Sequence, residues 1–320
     1  MLASLQGQFR SLVRGGTALE KAVRWVKRKR QPGSGIVAHH KTTTVTPEVT
    51  GYLIPSLYRA GEKGLAYDLA RWEASIQRPD GAFNGPGSDV PYCFDTAQVV
   101  RGFLSVLNDL PELEGNVRRA CDYLVGQIDE TGEVHTPSYA AWSLPDGSRF
   151  STYCNLYALP PLLEAGKRLR ERQYIETALR SVRCFKGKTD LAEFKSELGT
   201  LSHIFGYMME ALVELEEVEL ARTGLRQAQA IQKEDGAIPA YPGVDWVCST
   251  GMAQLGLAWA KVGERPLAEK VLQYLERIQH PSGGFYGSYG KGAEYFPAEE
   301  ISWANKFFID LSLSVRGRHG

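Results

Sequence analysis

The chain has 320 residues, of which 43% are hydrophobic and 23% are charged, and its 37 Lys and Arg residues equal its 37 Asp and Glu residues. This composition supports a large buried core and excludes a disordered chain, and the balanced charge gives no support for nucleic acid as the main partner. We also expect no export signal and no membrane span, because the first 30 residues lack a continuous apolar core and no run of 18 apolar residues occurs. Five unevenly spaced cysteines favour a reducing compartment, so the sequence predicts a cytoplasmic protein.

Residues 1–16 are predicted to be a lead-in, and residues 17–320 to form a single domain in which two types of helix alternate. Amphipathic helices, with one apolar stripe each, are predicted at 17–30, 65–77, 114–128, 172–185, 218–233 and 265–279. Helices that are apolar on most faces are predicted at 46–60, 94–108, 152–165, 201–216, 248–262 and 299–313. Thr17 and Thr46 are expected N-caps, and Pro160 and Pro161 are expected to kink or interrupt the helix at 152–165.

A short recurring motif separates the helix pairs: a glutamine is followed four residues later by a glycine, as in Gln77 and Gly81 or Gln279 and Gly283. Weaker copies complete a set of six glycine markers, at intervals of 46 to 55 residues: Gly35, Gly81, Gly132, Gly187, Gly236 and Gly283. Repeats of this length indicate an array of supersecondary units. Since a helix that is apolar all round is buried and one with a single stripe covers it, we predict an all-α fold, an (α/α)6 toroid of six helical-hairpin repeats. An open superhelical solenoid would use the same packing.

In such a toroid the starts of the six apolar helices converge at one end of the barrel. In the sequence these starts are polar or ionisable, at 46–48, 95–96, 152–155, 202–203, 248–250 and 299–303. N-capping accounts for Thr46, Thr152 and Thr200, but it does not account for the aromatic and imidazole groups at the same level. The loops that lead into these helices add more aromatic side chains: Phe83, Tyr92, Tyr139, Trp142, Tyr241, Phe285, Tyr286, Tyr289 and Tyr295. A concave end lined by aromatic rings, carboxylates and imidazoles is typical of a sugar-binding site.

The Gln-x-x-Asp-Gly motif resembles the repeats of squalene–hopene cyclases and of protein prenyltransferase β subunits, which are α/α toroids. Phe94-Asp95-Thr96-Ala97 likewise resembles the end of the D-x-D-D-T-A motif of class II terpene cyclases. Phe94, however, occupies the position of the aspartate that protonates the isoprenoid. An isoprenoid enzyme is therefore an alternative function, and it predicts a deep apolar cavity along the barrel axis.

The resemblance to prenyltransferases also raises a zinc site. Cys93, Cys154 and Cys248 recur near the starts of three apolar helices, and His203 would complete a tetrahedral set. The paired ligands of the prenyltransferases are missing, and cysteine is also a small residue that suits a buried position. We therefore predict no metal and no cofactor.

The stretch 294–310, EYFPAEEISWANKFFID, resembles the end of toroid proteins encoded with bacterial exopolysaccharide and O-antigen synthesis genes. The resemblance covers about residues 17 to 312 and implies a role in polysaccharide assembly. Fold-level similarity to glucuronyl carbon-5 epimerases and polysaccharide lyases further implies a uronic acid substrate. We therefore predict a uronic acid carbon-5 epimerase, whose partner is a uronic-acid-containing glycan or sugar precursor. A polysaccharide lyase, a glycoside hydrolase and a non-catalytic glycan-binding scaffold are the alternatives.

Carbon-5 epimerisation removes a proton α to a carboxylate and returns it on the other face, so it needs two acid–base groups and donors that neutralise the carboxylate. The acid–base candidates are His203, Tyr295, Glu300 and Tyr153. Asp95 and Asn155 are expected to bind hydroxyls or orient a base, and Arg149 and Lys291 to pair with the sugar carboxylate. The other candidates for the sugar-binding surface are Trp303, Tyr52, Trp246, His39 and His40. A glycosidase would instead use two carboxylates across the mouth, such as Asp95 and Glu300.

Overall fold

A computed structural model describes residues 16–138 and 149–317 of the chain. These residues contain twelve α-helices, which alternate between an outer and an inner position. The outer helices are α1 (Ala18–Arg28), α3 (Lys63–Ile76), α5 (Glu114–Gly126), α7 (Arg172–Lys186), α9 (Val218–Ala230) and α11 (Arg265–Ile278). The inner helices are α2 (Pro47–Arg59), α4 (Cys93–Val106), α6 (Leu159–Leu169), α8 (Ser202–Glu214), α10 (Ser249–Lys261) and α12 (Ser302–Arg316). None of the described helices is long and apolar enough to cross a membrane.

The inner helices form a closed ring. Around the ring α2 packs against α4, and α4 packs against α6. The 3₁₀ segment Thr152–Ala158, which leads into α6, packs against both α4 and α8. The ring continues from α8 to α10 and from α10 to α12, and α12 packs back against α2. The inner helix α8 is buried on almost every face, whereas the outer helix α9 buries a single stripe. The predicted (α/α)6 toroid is confirmed, and the contact between α12 and α2 excludes the open solenoid.

The repeat glycines hold adjacent outer helices together. Gly81, Gly236 and Gly283 have φ angles of +88°, +95° and +92°, a region that suits glycine. Each lies against the backbone of the next outer helix, and a Cβ atom on Gly283 would be 2.3 Å from the carbonyl oxygen of Lys21 in α1. The last repeat is thus fitted to the first helix, which closes the ring. Gly187 is different, because it ends α7 in a helical conformation with φ −69°.

The repeat glutamines make a matching contact. The side-chain amide of Gln279 donates to the carbonyl of Gly283 at 3.1 Å and to the carbonyl of Ala18 at 2.9 Å. Gln77 donates in the same way to Gly81 in its own repeat and to Asn116 at the next outer helix. Each of these glutamines therefore joins its own turn to the neighbouring repeat.

The helix predicted at 152–165 is divided into two segments. Thr152–Ala158 forms a 3₁₀ helix, and Pro160 and Pro161 lie in the first turn of α6. The first turn tolerates proline because its N–H groups have no partner within the helix, so the prolines begin α6 instead of kinking it. Thr17 makes a capping box at α1, as predicted, but Thr46 makes no capping hydrogen bond at α2 and Leu201, not Thr200, is the N-cap of α8.

Large side chains fill the barrel axis below the starts of the inner helices. The rings of Tyr157 and Tyr207 are 4.8 Å apart, and the Lys306 ammonium lies 3.6 Å from the Phe307 ring centre. Farther along the axis is a partly exposed ionic network, in which Arg101 and Lys261 contact Glu214 at 2.8 and 2.7 Å. The axis therefore contains no deep apolar cavity in the described part of the chain, which argues against the isoprenoid alternative.

The two short strands brace the mouth of the barrel. β1 (Val247–Cys248) precedes α10, β2 (Ser288–Tyr289) precedes α12, and they pair antiparallel with Val247 opposite Tyr289. This pairing joins two of the loops that lead into neighbouring inner helices.

Candidate functional site

A cavity of about 340 Å³ opens at the end of the barrel where the inner helices begin. Polar and ionisable side chains form part of its wall: His39, Thr46, Glu48, His203, Tyr207 and Tyr295. Four further aromatic rings also line it: Phe94, Phe150, Phe296 and Trp303. The convergence of helix starts predicted from the sequence therefore produces a concave site with the expected aromatic and ionisable lining.

Glu48 places a carboxyl group in the wall of this cavity. It lies in the first turn of α2, directly after Pro47, and its side chain is half-buried. Burial raises the pKa of Glu48 to about 7, although the positive charge of Lys306 lowers it. A substantial fraction of Glu48 is therefore protonated near neutral pH, which is the state that a general acid needs.

Two more carboxyl groups lie behind Glu48. Asp95 on α4 is 1% exposed, and Glu73 on the outer helix α3 is fully buried. One oxygen of Asp95 and both oxygens of Glu73 have no hydrogen-bond partner. Burial raises the pKa of both groups well above their usual range. The negative charge of Glu48 raises the pKa of Asp95 further, and the negative charge of Asp95 raises the pKa of Glu73 further. In this carboxyl cluster of Glu48, Asp95 and Glu73, burial and mutual repulsion favour the protonated forms of Asp95 and Glu73.

His203 lies across the cavity from Glu48, because α8 is the third neighbour of α2 in either direction around the ring. Its Nδ1 atom is 2.7 Å from the side-chain oxygen of Gln254. This contact assigns the ring proton to Nδ1 and leaves Nε2 free to accept a proton. Burial lowers the pKa of His203 to about 4, and Lys306 lowers it further while Gln254 raises it. The imidazole is therefore neutral at pH 7 and its Nε2 atom can accept a proton, as a weaker base than a solvent-exposed imidazole.

Tyr295 and His39 supply neutral hydrogen-bonding groups at the same level. The Tyr295 hydroxyl accepts a hydrogen bond from Trp303 Nε1 at 3.0 Å, so its own proton is available to a ligand. Burial raises the pKa of Tyr295 well above its usual range, which keeps the hydroxyl protonated. His39 has a pKa lowered by burial and an Nδ1 atom without a hydrogen-bond partner.

Glu300 does not line the cavity. Its Oε2 atom accepts hydrogen bonds from Trp25 in α1 and from Ser282 at 2.9 Å, and its Oε1 atom is 2.7 Å from His280. Glu300 therefore fastens the last repeat to the first outer helix. Since Asp95 is also buried behind the wall, the two carboxylates expected for a glycosidase do not face each other across the mouth.

Other residues predicted at the site lie beside or below it. Tyr153 donates to Asp190 at 2.8 Å, and it borders a neighbouring cleft together with Arg149 and Lys195. His40 accepts a hydrogen bond from the backbone N–H of Glu300 at 2.8 Å.

Trp246 is 2% exposed and packs on Tyr241, with ring centres 5.7 Å apart, so it supports the mouth from below the surface. Lys291 is exposed on the loop before α12. Asn155 and Tyr52 are buried beneath the cavity, each with an unpartnered oxygen. Tyr139 and Trp142 lie outside the described residues.

The structure brings together only part of the predicted set. His203, Tyr295, Trp303 and His39 line the cavity as expected. Glu48 was not among the predicted site residues, because an acid in the first turn of a helix is also what the helix dipole favours. Its position two residues after Thr46, at the start of the first apolar helix, was the one signal in the sequence.

The cysteines are distributed among different environments. Cys93 donates to the His135 carbonyl, Cys154 lines the cavity and Cys248 lies in β1. The described residues contain no group of three or more His, Cys, Asp or Glu side chains placed to hold a metal ion. The zinc alternative therefore has no assembled ligand set in this part of the chain.

Three solved structures show what this fold is similar to. An alpha-amylase from Clostridium perfringens matches with a TM-score of 0.71 and 13% identity, over 95% of this chain and 100% of that one. An unsaturated glucuronyl hydrolase specific for heparin matches with a TM-score of 0.70 and 12% identity, over 93% of this chain and 95% of that one. A polysaccharide lyase matches with a TM-score of 0.63 and 12% identity, over 93% of this chain and 96% of that one. No family model and no curated protein sequence matches the chain. At these identities the similarity establishes the α/α toroid fold alone.

Proposed function

We propose that the protein is a carbohydrate-active enzyme that transfers protons to and from a sugar ring held in this cavity. The observation that carries the proposal is the pairing of Glu48, with a pKa of about 7, and the neutral His203 on opposite sides of the helix ring. The aromatic lining supports a sugar as the ligand, because aromatic faces pack on the apolar faces of pyranose rings. The hydrolases and the lyase that share the fold are consistent with this class of substrate.

The finer proposal is carbon-5 epimerisation of a uronic acid residue. His203 Nε2 takes the proton from carbon 5, the electron pair moves into the carboxylate as an enediolate, and Glu48 delivers a proton to the opposite face. Two acid–base groups on opposite sides of the ring are what this inversion requires. A glycosidase is less well supported, because it would need two carboxylates in the mouth, and Glu48 is the only Asp or Glu side chain among the described lining residues.

The described lining residues include no Lys or Arg, so neutral donors must meet the sugar carboxylate. The Tyr295 hydroxyl, which accepts a hydrogen bond from Trp303, and the His39 ring are neutral hydrogen-bonding groups of this wall, as are the hydroxyls of Thr46 and Tyr207. Donors fixed in a cavity that excludes water stabilise a developing enediolate without having to reorient. We therefore assign charge stabilisation to Tyr295 and His39.

Solvent-deuterium exchange tests the proposal. The protein is incubated in D₂O with glucuronate-containing glycans, and carbon 5 is examined for deuterium by mass spectrometry and NMR. We expect label with the chain intact, and loss of label in Glu48→Gln and His203→Gln. The exposed Glu234→Gln variant is the control and should exchange at the wild-type rate.

The other outcomes are equally informative. Label together with chain cleavage, or an unsaturated product, would make the enzyme a lyase that shares the proton abstraction. Chain cleavage without label would identify a hydrolase. Absence of both on every glucuronate-containing glycan tested, with binding retained, would leave the non-catalytic glycan-binding function.

A further inference from the structure

Phe296 at the mouth of the cavity combines two features that oppose folding. Its φ angle is +47°, in the left-handed region that residues with a Cβ atom rarely adopt. Its side chain is also 36% exposed, and the other large hydrophobic side chains exposed among the described residues, Ile76 and Leu179, lie on outer helices. A strained backbone and an exposed aromatic ring in one residue at the edge of a cavity indicate a constraint set by function.

The surrounding residues hold the Phe296 ring in one orientation. It lies nearly perpendicular to the rings of Trp303 and Tyr295, with centroid distances of 5.4 and 5.0 Å, and 6.2 Å from the ring of His39. The Phe296 carbonyl accepts a hydrogen bond from the backbone N–H of Gly287 at 3.0 Å, which fixes the backbone below it. Phe296 is thus a preorganised apolar surface that is continuous with the cavity and still reaches solvent.

We infer that Phe296 stacks on a second sugar ring, the one joined to the ring in the cavity, so that the substrate is an oligosaccharide or polymer. This inference rests on the proposed sugar-binding function of the cavity. A ligand that extends out of the cavity passes Phe296, because the residue belongs both to the cavity lining and to the exposed surface. The apolar face of a pyranose would cover the exposed ring and compensate for the strain.

A nucleotide sugar is the competing ligand, since a base could also stack on the ring. Its diphosphate carries two negative charges that proteins usually meet with Arg, Lys or a metal ion. The described lining of the cavity has no Lys or Arg, and it contains the titrating carboxyl group of Glu48. The charge distribution therefore favours a glycan chain over a nucleotide-linked sugar.

Direct binding tests the inference without relying on turnover. The dissociation constants for glucuronic acid, a hyaluronan tetrasaccharide and UDP-glucuronic acid are measured by calorimetry, with tryptophan fluorescence as a second signal because Trp303 contacts Phe296. We expect the wild type to bind the tetrasaccharide at least tenfold more tightly than the monosaccharide. Phe296→Ala should remove about this tenfold gain, so that it weakens tetrasaccharide binding about tenfold more than monosaccharide binding. Phe296→Tyr should retain the gain, and the surface control Leu179→Ala should match the wild type.

Several results would overturn the inference. Equal weakening of mono- and tetrasaccharide binding by Phe296→Ala would mean that Phe296 only shapes the cavity, and no weakening would mean that it contacts no sugar. Tighter binding of UDP-glucuronic acid, lost in Phe296→Ala, would identify a nucleotide sugar. Tetrasaccharide binding that depends on Phe296, without deuterium exchange at carbon 5, would uphold the inference and refute the proposed reaction. A wild type that binds no sugar would refute both.

Discussion

Replacing Glu73 with Gln tests whether the carboxyl cluster behind the cavity is held in its neutral form. Glu73 is fully buried in α3, and neither carboxyl oxygen has a hydrogen-bond partner. Burial, followed by the charge of Asp95, raises its pKa well above the usual range. Gln has the shape of the protonated side chain but cannot titrate, so the variant removes the proton equilibrium and little else.

The magnitude follows from proton linkage. An acid with a raised pKa in the folded state keeps its proton while the unfolded chain, with a Glu pKa of about 4.3, releases it as the pH increases. Wild-type stability is therefore lost as the pH rises from the unfolded pKa towards the folded pKa. Each pH unit in this window changes the free energy of unfolding by up to about 1.4 kcal/mol, and the change accumulates from pH 5 upwards for as long as the folded protein keeps the proton. The stability of Glu73→Gln relative to wild type should increase accordingly over the same interval.

Urea unfolding at pH 5, 6 and 7 measures the effect, with far-ultraviolet circular dichroism and tryptophan fluorescence required to give coincident transitions. Only the change with pH is interpreted, so a constant difference caused by packing of the amide cancels. Glu234→Gln, an exposed substitution, should show no such trend. A difference between Glu73→Gln and wild type that stays flat from pH 5 to pH 7 would refute a neutral Glu73, and with it the argument that the cluster behind Glu48 is protonated.

Three further predictions concern the site and the ring. The rate of deuterium exchange should decrease at pH values below about 4, as His203 gains a proton, and at pH values above about 7, as Glu48 loses one. Glu48→Gln should lower this rate by a factor of about 10² to 10⁴. Lys306→Met should move both limits to higher pH, because Lys306 lowers the pKa of both groups, and an unmoved profile would show that its charge does not act at the cavity. Gly283→Ala should lower the melting temperature more than Gly61→Ala, since both have positive φ but only Gly283 meets a backbone, at 2.3 Å. Equal melting temperatures would contradict the role assigned to Gly283 in closing the ring.

The helix pattern carries most of the information about the fold. Twelve apolar periodicities in two alternating classes, with glycines about every fifty residues, predict an array of buried helices covered by amphipathic ones. An open solenoid would show the same pattern, so closure of the ring is established by the contact between α12 and α2. The same pattern predicts that the starts of the inner helices meet, and His203, Tyr295 and Trp303 do meet in one cavity. These predictions succeed because they depend on local periodicity and on chain order.

The roles of the acids, by contrast, depend on contacts between distant repeats. Glu300 and Glu48 both lie near the start of an inner helix, yet Glu300 is bonded to Trp25, 275 residues away, whereas Glu48 faces the cavity. Glu73 shares the buried face of α3 with Leu69 four residues earlier, but its charge predicts exposure. The strained conformation of Phe296 likewise has no signal in the sequence.

The sequence by itself therefore determined the all-α array of paired helices, the end of the barrel where the cavity opens and the aromatic character of its lining. Only the tertiary structure decided which carboxyl group faces the cavity, which ones are held behind it and which one fastens the ring. The physical reason is that periodicity records whether a residue is covered, whereas the pKa and the availability of a side chain depend on the particular groups that cover it.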